Sequence, residues 1–159
     1  MVDNVRAAMK TPAELTALFR ARGLKVTPQR QAIFRVLHGE EHHPTAEAVY
    51  ATVSAEMPTI SLRTVYQTLH DLSEMGEILE LDLGTGSARF DPNVDAHHHL
   101  VCERCGSVRD VYVDADSLRV APREQHGFDI TATEVVFRGR CPACRDRDDH
   151  QHQGEDTNG

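Results

Sequence analysis

The chain has no tryptophan, and phenylalanine and tyrosine make up only 5% of its 159 residues. So few large apolar side chains limit the core that a small domain can bury, and a half-domain built from them needs a second source of stability such as a bound metal. Long apolar runs are lacking too. No stretch approaches the roughly 18 residues of a membrane span, which excludes a membrane as partner, and Met1–Lys10 is polar rather than leader-like, so the expectation is a cytoplasmic protein. Cysteine is scarce, with four residues. Without an export signal these read as metal ligands ahead of disulfides, with two disulfides or free thiols as the alternative. Basic residues are outnumbered, and the formal net charge is −8. That balance argues against nucleic acid only if charge is averaged. Lys10, Arg20, Arg22, Lys25, Arg30 and Arg35 face only Glu14 between residues 10 and 38, while acid collects in Asp82–Asp116 and in the tail. Phosphate binding needs a local basic face, not a basic protein.

What is present has a clear order. Thr11-Pro12-Ala13-Glu14 is a capping box with proline at the first helical position; Leu15, Leu18 and Phe19 follow as an apolar face, and Gly23 stops the helix. A second helix starts at Thr27-Pro28 with Ile33, Phe34 and Leu37 as its stripe. A third begins near Thr45, with Ala46, Val49, Tyr50 and Val53 at helical spacing, and Pro58 closes it. Ser61 caps a fourth, whose stripe is Leu62, Val65, Tyr66, Leu69 and Leu72 and whose opposite face carries Arg63, Thr64, Gln67 and His70. Ile78–Leu83 alternates as a strand, Gly84-Thr85-Gly86 turns, and Ala88–Asp91 returns. Helices followed by a two-stranded hairpin form the winged helix-turn-helix order, in which the last helix enters the major groove.

From Asp91 the pattern changes. His99–Cys102, Val108–Val113 and Thr133–Phe137 read as strands and Asp114–Gln125 as a helix. The expected fold class is therefore α+β, with a winged-helix DNA-binding domain over 1–91, a hinge at 92–95, a small α/β domain with a four-cysteine zinc site over 96–145, and a disordered polar tail at 146–159.

All four cysteines fall into CxxC pairs, Cys102/Cys105 and Cys141/Cys144. Four thiolates fill a tetrahedral Zn²⁺ shell, and a site closed in this way is structural. The histidines beside the first pair need a different role. In a strand, His97 and His99 point one way and His98 the other. Two imidazoles make half of a site, for which His43, Asp91 and Asp110 are candidate partners. Each also has a plain reading: a loop histidine before Pro44, a turn residue before Pro92, and a solvated strand residue. On the fourth helix, Arg63 can bond guanine bidentately, Gln67 can read adenine, and Tyr66 can meet a thymine methyl or a phosphate, although Tyr66 also belongs to the apolar stripe. Lys25 and Arg30 are candidates for phosphate or minor-groove contact. His126 reads as a buried or capping histidine, and His150 and His152 as part of a solvated run.

The segments Gly23–Arg30, His43–Ala46, Ser61–Tyr66 and His97–Cys105, in this order across about residues 12–144, resemble the Fur (ferric uptake regulator) family. The resemblance implies a homodimeric, metal-dependent transcriptional repressor of double-stranded operator DNA, with the second domain serving dimerisation, and it implies no enzymatic activity. It also implies a sensing site at the hinge formed by His43, Asp91, His97, His99 and Asp110, and it favours DNA contact by Tyr66. Iron-sensing members usually have glutamate where Asp91 and Asp110 stand. Aspartate at both is the pattern of the peroxide-sensing PerR branch, which implies Fe²⁺ or Mn²⁺ at the site and oxidation of His43 or His97 by peroxide. The alternative within the family is an iron- or manganese-responsive repressor. Zinc sensors recruit a cysteine that this chain has already committed, and three imidazoles with two carboxylates suit a hard to borderline ion. A further metal site of many members is weak or absent here, since its places hold Ala96, His98, Ser117 and Thr133. Two readings lie outside the resemblance, a metal-dependent hydrolase or dioxygenase and a zinc-ribbon interaction protein whose histidines play no part in DNA binding.

Overall fold

The computed structural model describes residues 9–115 and 117–151, the side chains of 148–151 excepted. The chain divides into two compact units, one ending at Asp95 and the other starting at Ala96.

The first unit holds four helices and a hairpin, and side-chain caps explain where each helix begins. Helix α1 (Pro12–Ala21) starts in a full capping box: Thr11 accepts from the Glu14 N–H while the Glu14 carboxylate takes the Thr11 N–H. In α2 (Pro28–His38), α3 (Ala46–Glu56) and α4 (Leu62–Glu74), the hydroxyls of Thr27, Thr45 and Ser61 each accept the N–H three residues on. Gly23 leaves α1 at φ +72°, a left-handed conformation that side chains resist. The inward stripes meet in one core containing Leu15, Phe19, Ile33, Phe34, Leu37, Val49, Val53, Leu69 and Leu72. Phe19 and Phe34 pack edge to face at 4.8 Å between centroids.

Strands β1 (Leu79–Leu81) and β2 (Arg89–Asp91) pair antiparallel, Leu79 opposite Asp91. The Phe90 N–H donates to the Pro44 carbonyl at 2.9 Å, which ties this wing to the entry of α3. The helices and hairpin of the winged-helix order are therefore all present. Of the two readings of Tyr66, the structure does not adopt the apolar stripe: the side chain is 43% exposed, and Thr68 instead joins Val65, Leu69 and Leu72 on the buried side of α4.

In the second unit, β3 (His98–Cys102) lies between β4 (Val108–Val111), antiparallel to it, and β5 (Val136–Gly139), parallel to it. The helix expected over Asp114–Gln125 does not form. The only helical turn among its described residues is a 3₁₀ turn at Pro122–Glu124. Leu118 and Val120 remain exposed, so the apolar spacing has no core to fold against. His126 is exposed at φ +47°, not buried. The polar segment after Arg145 continues as α5 (Pro142–Gln151), whose first turn is anchored by Cys144; residues 152–159, with His152, lie outside the described residues.

Phe34 is fully buried at the centre of the first unit, so Phe34→Ala should cost about 3–5 kcal/mol of stability. A fall in the urea midpoint with little change in the slope would check this.

Candidate metal centre

The cysteine cluster follows from strand register. Pairing of Cys102 with Gly139 in the parallel β3–β5 ladder brings Cys141, two residues on, back beside the first pair. The Gly106 N–H donates to the Cys102 carbonyl at 2.9 Å, closing the knuckle, and the Cys144 N–H to the Cys141 carbonyl at 3.0 Å. The four Sγ atoms lie within 4.8 Å of one another, with Cys105 and Cys141 at 3.7 Å. A ZnS₄ tetrahedron with bonds of about 2.3 Å has edges of about 3.8 Å, so these side chains fit the ion.

Their acidities diverge. Backbone N–H groups, first that of Cys105 and then that of Cys141, pull the Cys102 thiol down to about 6. Ser107, whose hydroxyl lies 3.3 Å from Cys105 Sγ, lowers that thiol as well. Burial pushes Cys144 up to about 12.

The imidazoles and carboxylates form one set in each unit. In the first unit, the wing contact that joins Phe90 to Pro44 also sets Asp91 beside His43. Asp91 Oδ2 lies 3.1 Å from His43 Nε2, and both side chains are fully buried. Asp91 Oδ1 accepts the Asn93 N–H at 2.8 Å, which fixes the carboxylate. His43 adopts φ +41°, uncommon for a residue with a side chain.

In the second unit, His97 Nε2 and His99 Nε2 face each other at 3.0 Å on one side of β3, and Asp110, opposite His99 on β4, lies 3.5 Å from His97 Nε2. Two ring nitrogens and a carboxylate turned toward one point suit a cation between them. Glu134 lies 3.3 Å from His99 Nδ1. Sequence reasoning missed Glu134 because nothing local marks it; only the strand pairing brings it to His99. His98 points the other way, as its alternation requires. Its Nδ1 accepts the Val135 N–H at 3.1 Å, and the ring lines a cavity of about 540 Å³ with Val113, Leu118 and Ile130.

On α4, Arg63, Tyr66, Gln67 and His70 share a surface groove with Glu80 and Phe90. Tyr66 donates to Glu47 Oε1 at 2.7 Å, a bond that raises the tyrosine's pKa and lowers the glutamate's. Lys25 is exposed. Arg30 is differently placed from a free phosphate contact: its guanidinium pairs with Asp71 at 2.7 Å, donates to the Lys25 carbonyl at 3.1 Å and lies over the Phe19 ring.

Comparison with known proteins follows this geometry. The model of the ferric uptake regulator family matches residues 21–138. The peroxide-responsive repressor PerR of Staphylococcus aureus strain Mu50 is 36% identical over 135 residues, 84% of this chain and 91% of that protein. Among solved structures, a zinc-bound manganese uptake regulator is 29% identical with a TM-score of 0.65, over 83% of this chain and 99% of its own. The ferric uptake regulator of Pseudomonas aeruginosa with manganese is also 29% identical, with a TM-score of 0.57, over 79% and 96%.

In metal-stripped protein at neutral pH, iodoacetamide should label all four cysteines, and Zn²⁺ should protect them. Peptide mass spectrometry reads both effects. Equal labelling with and without Zn²⁺ would remove the four-sulfur site.

Proposed function

This chain belongs to the ferric uptake regulator family, and on that premise we propose that it is a metal-dependent transcriptional repressor, a PerR-like peroxide sensor that uses Fe²⁺ or Mn²⁺. The observation that carries this reading is the division of donors. The thiolates are gathered in one closed cluster, which leaves imidazoles and carboxylates as an oxygen-and-nitrogen set for a hard to borderline ion. His43 and Asp91 would supply one ligand atom each from the first unit, and His97, His99 and Asp110 one each from the second. Residues 92–95 then act as the hinge between a DNA-binding domain and a dimerisation domain. Fe²⁺, when bound, would supply the electron that cleaves peroxide beside His43 and His97. Asn93 and the wing hold Asp91 in place.

Arg63, Gln67 and Tyr66 would meet base edges in the major groove, and Lys25 a phosphate. Two copies would join through the second unit. There Leu100 and Phe137, neighbours across β3 and β5, are 46% and 42% exposed, and an apolar sheet face of this kind suits a second copy. Ligands shared by the two units would hold one relative orientation of the paired DNA domains, and half-site spacing makes affinity depend on that orientation. The second reading, an iron- or manganese-responsive repressor, draws on the similarity to the manganese uptake regulator and to the ferric uptake regulator with manganese. Aspartate and glutamate differ by one CH₂, so the carboxylates alone discriminate weakly between these branches.

His43→Ala should lower Mn²⁺-dependent affinity for a selected operator by about tenfold or more, measured by fluorescence anisotropy; unchanged affinity would show that this site is not the switch. Peroxide should release DNA from the Fe²⁺-loaded but not the Mn²⁺-loaded protein and add oxygen to His43 or His97, read by peptide mass spectrometry. Release on chelation alone, with no oxidised histidine, would favour the metal-responsive reading. Leu100→Asp combined with Phe137→Asp should yield monomer by light scattering, whereas an intact dimer would move the interface elsewhere.

A further inference from the structure

Asp71, in the last turns of α4, joins the exposed face of that helix to the core. Its two oxygens serve different partners: Oδ1 accepts from Gln67 Nε2 at 2.9 Å, and Oδ2 from Arg30 Nη2 at 2.7 Å. Arg30 is itself fixed, by the Lys25 carbonyl and by the Phe19 ring 5.2 Å from its guanidinium carbon. The Arg30 and Asp71 side chains are 15% and 14% exposed. A continuous path therefore runs from a core aromatic through an ion pair to an amide on the surface.

An ionised carboxylate only accepts hydrogen bonds. Gln67 can therefore meet Asp71 only with its NH₂ group, and the flipped amide would set oxygen against oxygen. One amide hydrogen is used in this contact, which leaves the carbonyl oxygen and the other hydrogen. That acceptor–donor pair matches the N6–H and N7 edge of adenine in the major groove. We infer that Asp71, anchored by Arg30, is a positioning residue that locks the Gln67 amide for reading one adenine of the operator. The inference rests on the DNA-binding reading above and gives Arg30 a role other than phosphate contact. Its guanidinium offsets the charge that Asp71 would otherwise present to the DNA backbone.

The test uses the full, Mn²⁺-loaded chain. A binding sequence is selected from a randomised duplex pool with the wild type, and every single-base variant of it is then competed by anisotropy. Gln67→Ala and Asp71→Asn should each lose about tenfold in preference at the same A·T pair, with preferences at the other positions of the site kept at wild-type values. The double variant should lose no more than either single one, since both act through one contact. Asparagine keeps an acceptor for Arg30 but lets the Gln67 amide turn either way. If Asp71→Asn proves unstable, Arg30→Lys, which keeps the charge but loses the fork, should lose preference at that same pair. Wild-type preference in these variants, or a loss spread evenly over all positions, overturns the positioning role and leaves DNA binding intact. A wild-type chain that selects no sequence instead refutes DNA recognition, and this inference with it.

Discussion

The convergence of Cys102 and Cys105 with Cys141 and Cys144 decides whether the second unit has a shape at all, because the unit has little else to bury. Among its described residues, the buried apolar side chains besides two of the cysteines are Val101 and Val108. Two valines cannot offset the entropy of ordering some fifty residues. A parallel strand pair also needs a long crossover, and the crossover between β4 and β5 forms no long helix among its described residues. A zinc ion held by four thiolates ties the two ends of that crossover together, so metal binding and folding become one event in this unit. The first unit needs no such help, with its contiguous core of four helices and hairpin.

This difference explains what could be read from the sequence. Helix starts in the first unit were legible because each is written in adjacent residues: a hydroxyl, often a proline, then an apolar period. Both cysteine pairs and the opposite facing of His97 and His98 were legible for the same local reason. Asp114–Gln125 carried an apolar spacing that suits a helix, but spacing stabilises a helix only when a partner surface exists, and within one copy it does not. The ion pair of Arg30 could not be read from sequence, since its partner Asp71 lies 41 residues away. Glu134 and Glu47 were invisible on the same grounds. Tyr66 was ambiguous on periodicity alone, and three-dimensional packing gave the buried place on α4 to Thr68.

The two donor sets are also held by different means. Asp91 and His43 come together where the wing meets the entry to α3, through the Phe90–Pro44 backbone hydrogen bond and the Arg89 guanidinium, which donates to the His43 carbonyl. His99 and Asp110 meet as direct cross-strand neighbours. One set therefore reports the position of a loop, and the other is part of a sheet.

The stretch from His97 to Cys105 carries a constraint on how such a chain can evolve. Leu100 and Val101 are the whole spacer between His99, in the imidazole–carboxylate set, and Cys102, the first thiolate. Insertion of a single residue there would invert the facing of everything on one side of it. Either His98 would take its neighbours' place beside Asp110, or Cys102 would leave its three partners. The spacer is thus length-locked, and the two sites can change their chemistry by substitution but cannot drift apart.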